Sequence, residues 1–422
     1  MGKIGSLLDK LSRPKGDRLI WLIVFVLLSV SIIEVFSASS RQTFGKASYL
    51  NPIMAHMVHV SFGVVAIYLC HIMKRFGYRA LSMLLILGSL AGLAFLCVKG
   101  MHSDKAERWI DLGFFQLQPS EFAKLAVVLI VSQMLSKLER ADRLSQIRTF
   151  GKIMALTAVV CLMIVMENLS TAILIFFVVV ALMIFGGIYW KYMTYLTVSL
   201  AAFCLLAIFL FKSVPPQTIR DCRLLPARTV TWQARVLDFF DQDEQYSAAE
   251  YARKVAPDKT QETHARIAVA TSAIFGKLPG NSDQRDYLQE ANSDFIFAII
   301  IEEMGMAGAL VIMAAYVLLF LRVGRIVVRC KNRGQLTDAY MAAGIGLLLV
   351  TQAFLNMSVA VGLGPVTGQP LPLVSKGGSS MLMSGIAVGI LLGISSSVED
   401  EEQHVQSVQE DLDGNETETI DC

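Results

Sequence analysis

Charged residues are scarce in this chain of 422 residues, since Asp, Glu, Lys and Arg make up 17% of it and hydrophobic residues 54%. That balance excludes an ordinary soluble protein of this length and is typical of a polytopic membrane protein. Cysteine and histidine are also few, with seven and six copies, and no pair has CxxC or metal-ligand spacing. The sequence therefore predicts neither a disulfide framework nor a zinc site, and we assign no metal-ligating residues.

Signatures of common soluble enzymes are also missing. The chain has no GxxxxGK[ST] phosphate loop, no GxGxxG after a strand and no GxSxG elbow. Because the first of these motifs holds the nucleotide in ATP-driven pumps, the chain is not a primary ATP-driven pump by itself. Because no nucleic-acid module is recognisable either, we expect no nucleic-acid partner and no organic cofactor.

Long apolar runs predict an all-α polytopic membrane protein of about ten transmembrane helices within residues 19–397. A large extracytoplasmic loop, residues 212–293, separates helices 7 and 8. The predicted spans lie near residues 19 to 37, 53 to 73, 80 to 98, 120 to 136, 152 to 166, 171 to 189, 193 to 211, 295 to 321, 339 to 361 and 378 to 396.

Basic residues predict the orientation, because Lys and Arg concentrate in cytoplasmic loops. They cluster at 1–18, 74–79, 137–152 and 322–333, which all fall on one side if there are ten spans. We therefore expect a basic cytoplasmic N-terminal segment and a cytoplasmic C-terminus. A cleavable signal peptide is the alternative interpretation of the first span. We reject it because cleavage would leave nine spans and a mature N-terminus outside without its basic anchor.

The C-terminal segment, residues 398–422, has ten Asp or Glu and no Lys or Arg. Such a composition predicts a disordered, solvated cytoplasmic tail. Docking of a partner is the alternative.

The first predicted outer segment, residues 99–119, contains an amphipathic stretch. Aromatic and aliphatic side chains alternate there with Arg108 and Asp111, as in a segment lying in the membrane interface. Pro119 then predicts the start of a helix, in which Glu121 and Lys124 share one face. They form either an ordinary surface ion pair or a site for an anionic headgroup.

Asp294 stands at the end of the long polar loop, directly before an apolar run. Ionisable groups at this depth are functional candidates, and Glu302 and Glu303 follow in the same predicted helix. The alternative is structural, with Ser293 or Asp294 as the N-cap of the helix. His56 and His59 in the second span are expected to be packing or interfacial residues rather than ligands.

The last predicted outer segment, residues 362–377, is rich in Gly and Pro and cannot continue a helix. We therefore predict a re-entrant or tightly turned loop, which is tolerated only where it lines a cavity. Beyond it, Gly385, Gly389 and Gly393 repeat every four residues. That stripe predicts close packing of the last span on a neighbouring helix.

Three blocks together resemble one known family. The chain is similar to the SEDS proteins (shape, elongation, division and sporulation) over roughly residues 20–397, and to the division subfamily more than to the elongation subfamily. The blocks are Arg108-Trp109-Ile110-Asp111-Leu112-Gly113 with Gln118-Pro119-Ser120-Glu121-Phe122-Ala123-Lys124, Asp294-Phe295-Ile296-Phe297-Ala298 with Glu302-Glu303-Met304-Gly305, and Pro365 through Ser380.

The resemblance implies an inverting peptidoglycan glycosyltransferase that polymerises lipid II through a β-1,4 linkage and releases undecaprenyl diphosphate. It places the catalytic role on Asp294, as general base. Either cationic side chains or a divalent cation, Mg²⁺ or Mn²⁺, balance the charge of the leaving group. The candidate substrate-binding residues are Arg108, Trp109, Glu121, Lys124, Arg266, Lys376 and Ser379.

The same resemblance implies lipid II and the nascent glycan strand as ligands and a class B penicillin-binding protein, a transpeptidase, as partner. It further implies other membrane proteins of the division machinery as partners and a place in the bacterial inner membrane at the septum. Three alternatives stay open: an elongation-type polymerase, a flippase of the lipid-linked precursor, and a non-catalytic scaffold that activates its transpeptidase.

The chain departs from the family pattern at three places. Gln289-Glu290-Ala291-Asn292 replaces Pro-Glu-x-His before Asp294, so no histidine is available there. Glu167-Asn168-Leu169-Ser170-Thr171 replaces Pro-Asp-Leu-Gly-Thr, which puts a carboxylate role at that site in doubt. Lys376 replaces the usual aromatic residue before Gly-Gly-Ser and adds a cation.

Overall fold

The computed structural model describes residues 16–39, 51–101, 108–111, 116–138, 142–165, 167–214, 229, 233, 257–288, 291–364 and 366–418. Eleven α-helices, one short 3₁₀ helix (Arg285–Tyr287) and one pair of antiparallel strands make up the regular structure of these residues. The helices are α1 Arg18–Ser39, α2 Asn51–His71, α3 Arg75–Met101, α4 Pro119–Leu135, α5 Arg143–Val165, α6 Leu169–Phe185, α7 Trp190–Ser213, α8 Pro257–Ala270, α9 Ile296–Asn332, α10 Leu336–Ala360 and α11 Gly378–Glu418.

Helices lie at all ten predicted spans, which confirms an all-α polytopic membrane protein. Within the described residues, seven are long and apolar enough to cross a membrane: α1, α2, α3, α5, α9, α10 and α11. The apolar α6 and the 17-residue α4 are shorter, and α7 carries Lys near both ends. The total of ten crossings and the sidedness of the loops stay predictions.

The glycine stripe of α11 packs on α2, as predicted. A Cβ added at Gly389 would lie 2.6 Å from the carbonyl oxygen of Ile67, and one at Gly393 would lie 3.0 Å from that of His71. Contacts advance along both helices in the same direction, so α2 and α11 run parallel. Small residues permit this approach in a membrane, where packing and not burial from water holds helices together.

Helix α9 is broken at Gly305, whose φ of 74° lies in the left-handed region. The segment after α8 supplies hydrogen bonds at the break. The amides of Lys277 and Leu278 donate to the carbonyls of Glu302 and Glu303, at 3.0 and 2.8 Å, and the Met306 amide donates to Ala273. Internal partners of this kind are what a non-helical backbone needs at membrane depth.

Two features differ from the expectations. Between α3 and α4, β1 (Ile110–Asp111) pairs antiparallel with β2 (Gln116–Leu117), a pairing that the amphipathic pattern did not predict. Helix α11 continues to Glu418, whereas the acidic composition predicts disorder from Val398. Glu and Gln are good helix formers, and adding residues to an existing helix needs no new nucleus.

Some predictions fall on residues outside the described set. They concern the N-terminal basic residues before Gly16, part of the amphipathic stretch at 112–115, most of the large loop at 215–256, and the departure at 289–290.

Replacing Gly389 with valine should destabilise the membrane domain, because the new side chain would meet the backbone of α2 and not a flexible side chain. Overpacking of this kind costs about 1–3 kcal/mol. Thermal unfolding in detergent measures the effect. Gly324→Val on α9 is the matched control, since a Cβ there meets nothing within 4 Å. Equal melting temperatures for the two variants would contradict the α2–α11 contact.

Candidate functional site

The non-helical segment 366–377, which we name the re-entrant loop, is fastened to the residues before α9. Asn356 on α10 donates from Nδ2 to the carbonyl oxygens of Asp294, at 2.9 Å, and Gln369, at 2.8 Å. One amide group therefore holds both chain segments together. The position of Asp294 depends directly on this loop.

Two further bonds join the same segments. The Ser375 hydroxyl donates to the carbonyl of Ser293 at 2.6 Å, and the Lys376 amide donates to that of Asn292 at 2.8 Å. Three successive carbonyls, from Asn292 to Asp294, are thus bonded to α10 or to the re-entrant loop. Each bond satisfies a backbone group that would be costly to bury unpaired.

The Asp294 carboxylate and the Arg108 guanidinium meet at Gly368. A Cβ added to Gly368 would lie 3.5 Å from Oδ2 of Asp294 and 3.3 Å from Nη1 of Arg108. Gly368 has φ of 64°, a conformation that favours glycine, and a Cβ there would press on the Arg108 guanidinium more tightly than an ordinary contact. Asp294 is half-buried. The structure therefore brings together two of the predicted site residues.

Asp294 does not occupy the capping position of α9. The helix begins at Ile296 with Phe295 as its N-cap, and the Phe295 side chain makes no capping hydrogen bond. Neither Ser293 nor Asp294 is therefore the N-cap residue that the structural interpretation expected.

Glu121 and Lys124 form an ion pair of 2.7 Å on α4, as predicted, but both are buried, with 4% and 2% of their side chains exposed. The ammonium also donates to Oε1 of Gln352, at 2.9 Å, and of Gln369, at 3.3 Å. A lysine has three donors, and all three are engaged. Lys124 thus holds the re-entrant loop through Gln369, and the pair is buried, whereas the sequence left open a surface ion pair or a site for an anionic headgroup.

The departure at 167–171 also reaches the re-entrant loop. Asn168 caps α6 by accepting bonds from the amides of Ser170 and Thr171, at 3.1 and 3.4 Å. The Thr171 hydroxyl then accepts a 2.6 Å bond from Nε2 of Gln369. The sequence alone indicated no role for Gln352 or Gln369. A glutamine in an apolar span is the signal that could have indicated Gln352, because buried amides need partners.

The other predicted residues lie apart from this contact. Arg266 on α8 pairs with Glu262 at 2.6 Å and donates to the Gly362 carbonyl at 3.4 Å, so its charge is already balanced. Trp109 is 39% exposed beside Arg108, and Ser379 is fully buried in the first turn of α11. Burial lowers the pKa of the Lys376 ammonium.

Glu302 and Glu303 have a structural role. Both are fully buried, and their carboxylates accept bonds from the turn 277–285. Lys277 pairs with Glu302 at 2.8 Å, and the Gly280 amide donates to Glu303 at 3.0 Å. Hydrogen bonds from Lys277 to Asp283 and Glu302 raise the pKa of Lys277, so this cation stays charged. These contacts fasten the end of the long loop to α9.

Removing either partner of the buried Glu121–Lys124 pair should destabilise the protein by about 3–5 kcal/mol, because the other charge stays buried and uncompensated. The double variant Glu121→Gln/Lys124→Met should lose much less stability than the two single variants lose in sum. Chemical or thermal unfolding of the four proteins of this cycle measures the coupling. Strictly additive losses would show that the pair does not hold α4 and the loop together.

Gly368→Ala should lower activity strongly and stability modestly. The left-handed conformation costs an alanine about 1–2 kcal/mol, and the methyl group enters the space between Arg108 and Asp294. Gly364→Ala in the preceding turn is the control, because nothing lies within 4 Å of its Cβ. The measurement is the glycan synthesis that the family resemblance implies, for both variants and normalised to folded protein. Equal activity would mean that the space at Gly368 is not used.

Comparison with known families and curated proteins agrees with the resemblance. The family model described as cell cycle protein, of the FtsW, RodA and SpoVE type, matches residues 17–400. A probable peptidoglycan glycosyltransferase FtsW from Coxiella burnetii is 30% identical over 388 residues, 90% of this chain and 96% of that protein. Peptidoglycan glycosyltransferase MrdB of Escherichia coli K12 is 30% identical over 299 residues, 70% and 72% of the two chains.

Solved structures share the fold. A chain from a peptidoglycan synthase complex, described as coordinating polymerization and crosslinking, aligns with a TM-score of 0.68 at 22% identity and covers 91% of this chain and 98% of its own. The rod shape determining protein RodA of Thermus thermophilus aligns with a TM-score of 0.61 at 22% identity, over 90% and 96%. The family match over nearly the whole membrane domain, together with these relatives, leads to one conclusion: the chain belongs to the FtsW/RodA/SpoVE family of integral membrane proteins.

Proposed function

We propose that this protein is a peptidoglycan glycosyltransferase that polymerises lipid II on the outer face of the bacterial inner membrane. The relatives named as peptidoglycan glycosyltransferases support this activity. The observation that carries the proposal within the chain is the meeting of Asp294 and Arg108 at Gly368. A half-buried carboxylate near a cation suits a reaction that moves one proton and releases an anion.

Asp294 acts in this proposal as the general base. It accepts the proton of the acceptor sugar's 4-hydroxyl while that oxygen attacks the anomeric carbon of the donor sugar. The new bond joins the anomeric carbon to this oxygen, and the bond from that carbon to the diphosphate breaks. Displacement in one step inverts the α-linked donor to a β-1,4 link. A positioned base contributes about 10² to 10⁴ in rate.

Arg108 balances the charge of the departing undecaprenyl diphosphate. A guanidinium presents several donors in a fixed plane that matches phosphate oxygens. With its charge balanced in this way, the diphosphate can leave without being protonated. The alternative is Mg²⁺ or Mn²⁺. Among the described residues no group of three or more His, Cys, Asp or Glu is placed to hold a metal. One carboxylate together with substrate phosphates can hold Mg²⁺, so we assign the charge balance to Arg108 on its position near Asp294 and test the metal by chelation.

The partner in this proposal is a class B penicillin-binding protein, which crosslinks the strands that the membrane protein makes. The structurally similar synthase complex, which coordinates polymerization and crosslinking, supports such a pairing. A division role at the septum is favoured by the relatives named FtsW, and an elongation role is the alternative, since MrdB and RodA also match. Other division proteins of the membrane are then further partners.

Asp294→Asn should abolish most polymerisation, by about 10² to 10⁴-fold, because the amide keeps the shape but cannot take the proton. The assay uses the purified protein with its transpeptidase partner and lipid II, and gel separation of the glycan product. Asp283→Asn is the control, since that carboxylate is 74% exposed and pairs with Lys277 in the turn before α9. Chelation with EDTA in the same assay tests the alternative of a metal.

Wild-type rates in the Asp294→Asn variant, with unchanged melting temperature, would remove Asp294 from the mechanism. Movement of lipid II across vesicle membranes without any polymer in the wild type would favour a flippase instead. The position of a fluorescent fusion, at midcell or along the side wall, separates the division role from the elongation role.

A further inference from the structure

A cavity of about 450 Å³ lies at the end of the membrane domain opposite Asp294. Helix α9 begins beside Asp294 and ends at Asn332. The cavity is formed by the turn after α9, the first turns of α3 and α10, and the first residue after α4. Because apolar helices end here, the cavity lies at the level of lipid headgroups. The basic clusters predict that this end faces the cytoplasm.

Two arginines and one carboxylate line this cavity. Arg75 pairs with Asp338, from Nε to Oδ2 at 2.7 Å, and the Asp338 side chain is buried. Arg79 lies one turn further along α3. In the part of the chain that the structure describes, its guanidinium has no hydrogen-bond or ion-pair partner. The lining side chains therefore leave one positive charge without a counterion, and this charge attracts an anion.

Main-chain donors border the same space. Leu336 and Thr337 line the cavity at the start of α10, and the N-cap residue Gln335 makes no capping bond through its side chain. Their amides precede the helical hydrogen bond that the Ala339 amide makes to the Gln335 carbonyl at 3.0 Å. Phosphate oxygens accept hydrogen bonds from amides of this kind. These donors add to the attraction that Arg79 supplies.

An apolar surface continues from the cavity along α3. Phe76 lines the cavity and is 79% exposed. Met83 and Leu87 follow on the same face of the helix, and both are exposed. A soluble anion would leave this surface uncovered. The acyl chain of a phospholipid can lie along it while the headgroup occupies the cavity, so the combination favours an amphipathic ligand.

We propose that this cavity binds the headgroup of an anionic phospholipid, with Arg79 on the phosphate and an acyl chain along the exposed face of α3. The bound lipid joins the start of α3 to the start of α10. It is a structural ligand and not a substrate, so this inference goes beyond the proposed function. Helix α10 also carries Asn356, which holds the re-entrant loop and the chain at Asp294. A ligand that binds only the folded state stabilises it.

The test is native mass spectrometry of the delipidated full-length protein in detergent, titrated with dioleoylphosphatidylglycerol or with dioleoylphosphatidylcholine, which carries no net charge. The wild type should retain one phosphatidylglycerol at least tenfold more tightly than phosphatidylcholine. Arg79→Gln should weaken this binding about tenfold, as expected for a lost charge-assisted bond. Arg79→Lys keeps the charge and should weaken it at most threefold.

Arg329→Gln is the matched control. It removes the same charge from an exposed arginine in the last turn of α9, which does not line the cavity, and should leave the binding unchanged. An equal loss in Arg329→Gln and Arg79→Gln would overturn the site, because it would mean attraction by the whole basic surface. Unchanged binding in Arg79→Gln would overturn it as well. Equal affinity of the wild type for the two lipids would do so whatever the variants show.

Thermal unfolding of the same proteins gives a second measurement. Phosphatidylglycerol should raise the melting temperature of the wild type and of Arg329→Gln, and should raise that of Arg79→Gln much less. Glycerol 1-phosphate that stabilises the wild type at the same concentration as the lipid would contradict a lipid ligand and indicate a site for soluble phosphate. Neither measurement involves glycan synthesis, so failure of this proposal is distinguishable from failure of the proposed function.

Discussion

The position of the site residues depends on hydrogen bonds to the backbone amides and carbonyls of the re-entrant loop, inside a membrane protein. Irregular chain at membrane depth has no water to bond, so each amide and carbonyl needs an internal partner. Asn356 bonds Gln369 and Asp294, Gln352 bonds the Pro370 carbonyl at 2.9 Å, and Ser375 bonds its own turn and the chain before α9. These bonds fix the loop and position Asp294.

The buried pair of Glu121 and Lys124 extends the same principle. Burying Lys124 alone would be costly. The Glu121 carboxylate and the side chains of Gln352 and Gln369 accept bonds from all three of its donors. A lysine for which the sequence left an ion pair or a headgroup contact open thus bonds the loop through Gln369. Arg108 differs from Lys124, because it lies beside Gly368 near the Asp294 carboxylate and not within this network.

The sequence predicted the helices, the packing of the α11 glycine stripe and the ion pair on α4, because apolar runs, small-residue spacing and i, i+3 neighbours are local signals. It did not predict how Lys124 is used, since its partners Gln352 and Gln369 are 228 and 245 residues away along the chain. The acidic composition of residues 398–422 predicted disorder and not the continuation of α11 to Glu418. The proximity of Asp294 to Gly368 likewise results from tertiary packing, which composition and periodicity do not predict.

The most direct measurement of the role of Asp294 is a structure of the protein with its transpeptidase partner and a non-reactive lipid II analogue, by electron cryomicroscopy. We predict the sugar's 4-hydroxyl within about 3.2 Å of the Asp294 carboxylate, with a diphosphate against Arg108. Saccharide density bound elsewhere, with Asp294 and Arg108 contacting only protein, would contradict the assignment.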